Sequence, residues 1–134
     1  VRDAILTSTT TTAGAALPKA GGTMTGTAVA STNTDATNTG SVTLDFATNQ
    51  NFVLTLTGNV TLANPTTETV GQSGFIACIQ DGTGSRTLSL GTDYETAAGA
   101  GITLTSTASA TDLVPYLVVA ANRILLGTPQ LAFA

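Results

Sequence analysis

The chain has no histidine, no tryptophan, one cysteine and one methionine. Each shortage excludes something. Most hydrolytic and transfer mechanisms rely on a positioned base near neutrality, most often histidine. Without one, Ser–His–Asp and Cys–His arrangements cannot be built within the chain. Zinc chemistry would have to use carboxylates and a single thiol, a poor ligand set. The expectation is a protein that is not an enzyme and that needs no cofactor or metal. Cys78 has no second thiol for an internal disulfide. It lies in the apolar run Phe75–Ile79 and reads as a small buried hydrophobe. A chain without disulfides suits cytosolic folding and assembly.

Charge is also scarce, with four basic and eight acidic residues and a net charge of −4. Arg2, Lys19, Arg86 and Arg123 are far apart in sequence. Nucleic-acid binding needs clustered cations that displace counterions, so that partner is not expected. One lysine and two glutamates cannot coat the wet face of soluble helices. The longest apolar run, Leu113–Ala121, has nine residues and contains Pro115. A bilayer-spanning helix needs about 20, so no membrane insertion is expected. Val1-Arg2-Asp3 leads into threonine rather than an apolar stretch, and no signal peptide is expected there.

What is abundant is threonine, at 29 residues, with 14 glycines. Threonine is β-branched and favours strands. The expected class is all-β: an antiparallel β-sandwich or jelly-roll-like domain with strand faces coated by Thr, Ser and Asn, preceded by an extended N-terminal arm. Residues 1–40 form the arm, because they hold few large apolar side chains and cannot bury enough surface to fold alone. Residues 41–134 form the domain.

Within the domain, Val42, Leu44 and Phe46 alternate with polar residues, as do Phe52, Leu54 and Leu56. Gly58-Asn59 between alternating runs predicts a tight hairpin. Asn59-Val60-Thr61 also fits the N-glycosylation pattern, but the turn is the better assignment. Gly74–Gln80 reads as a central strand buried on both faces. Strands are expected at Thr87–Leu90 and Ile102–Thr105, and a last hairpin around Ala121-Asn122. Pro115 implies a bulge or an edge position. The total is seven to nine strands. The tail, with Leu131 and Phe133, should pack on the domain or on a neighbouring subunit.

Two loops could carry chemistry. Asp93 and Glu95, flanking Tyr94, are two carboxylates at i, i+2 that could serve acid/base work. They read better as a solvated pair, with a cation site next and catalysis last. Asp81 with Gly82 and Gly84 lacks the further acidic ligands of a calcium loop. Gly82-Thr83-Gly84 before Arg86 lacks the Gly-Lys-Ser/Thr ending of a phosphate loop. A hairpin turn accounts for it.

The most specific string is Leu17-Pro18-Lys19-Ala20-Gly21-Gly22-Thr23-Met24-Thr25-Gly26. It resembles an element that recurs in bacteriophage tail fibres and related virion appendages. There it sits in intertwined trimeric shafts, or between shaft and domain. The Gly pair permits close chain approach. Leu17 and Met24 are apolar plugs that three chains around an axis could bury. A second resemblance covers about 90 residues. It comprises Val42–Phe46, Asn51–Leu62, Gly71–Gly74, Gln80–Leu88, and Asp112-Leu113 to Ile124 with Tyr116. These look like a domain common at the ends of phage structural proteins.

The resemblance implies a virion-surface protein, assembled in the host cytoplasm, that acts as an oligomeric fibre or capsid-decoration module. Its expected partners are itself, as a homotrimer, and capsid or tail components. The alternative is a receptor- or glycan-binding tip of a tail fibre, with Gly82–Arg86 and Gly91–Gly101 as adhesive loops meeting a host-surface glycan.

Overall fold

The computed structural model describes Thr23 and residues 25–134. Eight strands follow in order: β1 (Thr32–Thr43), β2 (Asn51–Ala63), β3 (Ser73–Gln80), β4 (Leu88–Leu90), β5 (Tyr94–Glu95), β6 (Thr111–Ala120), β7 (Arg123–Leu126) and β8 (Gln130–Phe133). Among the described residues the one helical element is a 3-10 turn at Ala97–Gly99. The all-β expectation holds.

The pairing is mixed rather than antiparallel. The strand order is β1-β2-β3-β6-β7-β5, with β4 added beside β2 and β8 beside β6. The β1/β2, β2/β3, β2/β4 and β5/β7 ladders are parallel. Those of β6 with β3, β7 and β8 are antiparallel. Alternation reports which side chains face the core. It carries no information on the direction of the neighbouring strand.

Parallel neighbours joined by a short return require curvature. A straight β1 would be about 36 Å long. Residues 44–50 can return over no more than about 28 Å. The strands must bend, and the register of β1 on β2 shifts between Asp35 and Asn38 and again between Asn38 and Gly40. Gly40 lies there at φ +68°. Buried Asn38 braces the bend, donating from Nδ2 to the carbonyls of Asp35 and Thr55, 3.1 Å each.

This bend explains why no hairpin forms at Gly58-Asn59. β2 continues through both residues. Gly58 is needed for close approach, since a Cβ there would lie 2.2 Å from Thr39 Oγ1. Asn59 Oδ1 accepts from the Thr87 N–H at 3.1 Å and so sets the start of β4. The first half of β2 pairs with β3 and its last residues pair with β4.

The core lies inside the curl. Phe52, Leu54, Leu56, Val60 and Leu62 from β2 meet Ile76 and Cys78 from β3 and Val114, Tyr116 and Val118 from β6. Leu44 and Phe46 are also buried, but they belong to the return after β1, which ends at Thr43. Phe46 packs edge-on against Phe52 and Tyr116, with centroids 5.0 and 5.3 Å apart. The Tyr116 hydroxyl donates to the Gln50 carbonyl at 2.6 Å. Gln72 Nε2 donates to the carbonyls of Phe46 and Asn49. Side-chain amides thus hold the return that makes β1 and β2 parallel.

Three further expectations need correction. β3 is central but buried on one face only, and Phe75 is 48% exposed. Ile102–Thr105 forms no strand; Ile102 and Leu104 pack against the core without a ladder. Pro115 is on an interior strand, opposite Phe75 of β3, with no register shift beside it. On the other side of β6, β7 begins pairing at Tyr116 and β8 at Leu113. Pro115 falls in the gap between those partners, where a missing N–H costs no ladder bond. Its carbonyl accepts from the Gly127 N–H at 2.9 Å.

The last hairpin forms as expected, with Asn122 at φ +57° in its turn. The expected arm–domain division at 40/41 falls within β1. Of the Leu17–Gly26 element only Thr23, Thr25 and Gly26 are described, and all three are exposed. Leu17, Pro18, Ala20, Gly21, Gly22 and Met24 lie outside the described residues.

Candidate functional site

The two candidate loops are built differently. The loop after β3 is closed on itself. Asp81 Oδ1 accepts from the N–H groups of Thr83 and Gly84, at 3.0 and 2.9 Å. Its Oδ2 accepts from Arg86 Nη2 at 2.8 Å, and Arg86 Nε reaches both oxygens at 3.2 Å. The Arg86 bond, with help from the two backbone N–H groups, holds the Asp81 carboxyl down at about 2 against an ordinary 3.8.

Buried Gln80 locks the other end of this loop. Its Oε1 accepts from the Arg86 N–H at 2.8 Å and its Nε2 donates to the Arg86 carbonyl at 2.9 Å. Gly84, at φ +74°, lies against backbone, since a Cβ would sit 2.5 Å from the Ser106 carbonyl oxygen and 2.8 Å from the Ala108 nitrogen. Asp81 therefore serves an internal ion pair, and Gly82–Arg86 is a braced turn.

The second loop is looser. Asp93 and Glu95 do not work as a pair. The Asp93 backbone is fixed by Asn64 Oδ1, and its carbonyl accepts from Ile124 at 2.7 Å. The Glu95 carboxylate takes Arg123 in a two-pronged contact, Nε to Oε1 at 2.8 Å and Nη2 to Oε2 at 3.1 Å. That bond holds the Glu95 carboxyl below its usual range. Both partners are about half exposed, so the contact adds little stability.

Tyr94 turns inward and is 5% exposed. Among the described residues its hydroxyl has no hydrogen-bond partner, and neither has Glu68 Oε2. Burial pushes the phenol well above its ordinary value, and the carboxylates of Glu68 and Asp93 add to the shift. Tyr94 anchors the loop and offers no ring to a ligand.

A cleft of about 620 Å³ opens beside this loop, between β4 and the residues from Tyr94 to Ile102. A smaller one of about 230 Å³ borders Arg86, Thr87 and Leu104. Leu88 and Ile102 line both, so the two candidate loops flank one stretch of surface. Among the described residues, no group of three or more His, Cys, Asp or Glu side chains gathers to hold a metal ion. No helix there is long and apolar enough to cross a membrane.

Cys78 is a buried free thiol. Burial first, and the Asp112 carboxylate second, push it up to about 12. It is not a nucleophile at neutral pH.

Asp112 has a role that sequence reasoning missed. It is 2% exposed. It accepts from the Thr105 N–H at 2.5 Å, from the Thr105 hydroxyl at 2.8 Å and from the Ala132 N–H at 2.8 Å. One carboxylate thus ties the irregular 102–106 segment and β8 to β6. The available signal was a lone acid in the apolar run around Leu113–Val119, where an unpaired charge is costly.

The family model described as "Putative phage tail fibre C-terminal domain" matches residues 37–120. The match runs from the second half of β1 through β6 and includes both loops. No curated protein and no solved structure matches the chain.

Proposed function

The chain belongs to the family of phage tail fibre C-terminal domains, and from that premise we propose that it is an oligomeric, trimeric structural module of the phage virion surface, held by its N-terminal arm. The family makes it a virion-associated protein with a structural role in a tail fibre. The observation that carries the proposal is the family match over residues 37–120, which covers β2 to β6 and most of the core. Such a module works by buried contact and multivalency, without catalysis. The internal use of Asp81 and Glu95 as ion-pair partners supports that reading. The family favours a tail fibre over a capsid decoration. Assembly in the host cytoplasm suits a buried free thiol and no disulfide.

The test is the copy number and location of the chain on intact particles. The expected result is a multiple of three, at the tail. A single copy, or a position on the capsid face, overturns it.

A second reading has its own observation. The cleft beside Tyr94–Ile102 is lined by exposed backbone and small side chains at Gly99, Ala100 and Gly101. It could admit a host-surface glycan at the tip of a fibre. A glycan array with the intact protein would show binding that is lost in Gly101→Trp. A blank array with retained particle occupancy would leave the structural role alone.

A further inference from the structure

We infer that the outward face of β2, β3, β6 and β7, continued by β8, is the surface on which a second copy of this chain docks; the inference rests on the oligomeric reading above and names the surface responsible. On β2, β3 and β6 the even-numbered residues are buried in the core and the odd-numbered ones point away from it. The register sets the outward residues side by side. Val53 lies beside Ala77 and Ala77 beside Leu113. Phe75 lies beside Pro115, and Leu117 beside Leu125.

The outer face of a half-solvated sheet is ordinarily polar. β1 follows that rule, with Thr32 and Thr34 exposed. β2 adds Val53 among polar residues, and β3, β6 and β7 depart from the rule. Phe75 is 48% exposed, Leu117 43% and Leu125 36%. β8 extends the patch: Asp112 holds its backbone through Ala132, and Phe133, opposite Thr111, is 52% exposed.

The occupant follows from charge. No outward residue of β2, β3 or β6 is charged. At the margin, on β7, Arg123 is already neutralised by Glu95. An acidic or basic partner would find nothing to pair with. Around a three-fold axis every copy brings this same apolar face, so docking strips water from no isolated charge.

The size is also appropriate. Rows about 4.8 Å apart and about seven residues long, at ~3.3 Å each, made by β2, β3, β6 and the successive β7 and β8 beside β6, give a flat footprint of roughly 440 Å². Side-chain relief raises the accessible area above that footprint, towards the ~800 Å² per partner of a standard interface.

The experiment uses the full chain. Sedimentation at micromolar concentration should give the parent protein a mass that is a multiple of 13.3 kDa. Leu117→Lys with Leu125→Lys should reduce it to 13.3 kDa with an unchanged circular dichroism spectrum. Thr107→Lys, an exposed position in the turn before β6 and outside the sheet, should keep the parent mass. A double variant that keeps the multiple overturns this face and leaves the oligomeric reading standing. A parent protein at 13.3 kDa overturns both.

Cross-linking covers the case in which the double variant does not fold. Cys78 is buried, so a single introduced thiol can be read alone. Leu117→Cys should be joined between chains by a short bis-maleimide, and Thr107→Cys, outside the sheet, should not. No joined species from Leu117→Cys, or equal yields from the two, overturns the inference.

Discussion

The turn at Asp81–Arg86 and the loop from Gly91 to Gly101 are both rich in glycine and acidic residues, and the clefts beside them share Leu88 and Ile102. They differ in where their polar groups are spent. In the first, Asp81, Gln80 and the Arg86 backbone satisfy one another, and Gly84 is packed against backbone. In the second, Gly99 and Gly101 have open space around them, and the Glu95–Arg123 contact lies in solvent. A loop whose donors and acceptors are consumed internally is scaffold. A loop with unfilled space beside it is where a ligand could sit.

Substitutions can break this contrast, and the largest effect belongs to Gly84→Ala. It combines a left-handed backbone at φ +74° with a Cβ 2.5 Å from a carbonyl oxygen. We expect a loss of about 3–4 kcal/mol, read by urea denaturation at fixed protein concentration. Gln80→Ala comes next. It leaves both the N–H and the carbonyl of Arg86 without their partner, at a cost of about 2 kcal/mol. Gly99→Ala should cost about 1 kcal/mol, since φ is +65° but nothing lies within 4 Å. Equal losses at Gly84 and Gly99 would erase the distinction between the loops.

The pH response sharpens the same contrast. The Asp81 carboxyl is depressed from 3.8 to about 2 by Arg86. A depressed acid contributes stability above its unfolded value and loses it as the pH falls towards its folded value. The denaturation midpoint should therefore drop between pH 3.8 and about 2. In Asp81→Asn the drop should be smaller, the remainder belonging to Asp45 and Glu95, which are also depressed. Glu95→Gln should produce the smallest change, with no measurable shift of the midpoint at neutral pH, because its partner Arg123 is well solvated.

Much of the strand content was legible. Alternation marked Phe52–Leu56, the apolar run marked Leu113–Ala121, and Asn122 marked the last turn. Gly58-Asn59 misled because a glycine needed for close approach to Thr39 has the same composition as a hairpin turn. Ile102–Thr105 alternates like a strand, but Thr105 is taken by Asp112, so that segment makes no ladder. Of the candidate binding residues, Asp81 and Arg86 were recognised as neighbours in sequence but not as each other's partners. Glu95 and Arg123 are 28 residues apart, and nothing local links them.

Composition by itself determined the all-β class, because threonine's stiff χ1 and the shortage of helix-supporting charges act residue by residue, and the apolar run Phe75–Ile79 determined the burial of Cys78. Only the tertiary structure decided that the sheet is mixed, that β2 bends instead of turning back, and that Asp112 joins three segments. It also decided that Phe75, Leu117 and Leu125 share one uncharged outer face. The reason is that strand direction and cross-strand register depend on which distant segments meet. A period of two says which way a side chain points and nothing about what lies beside it.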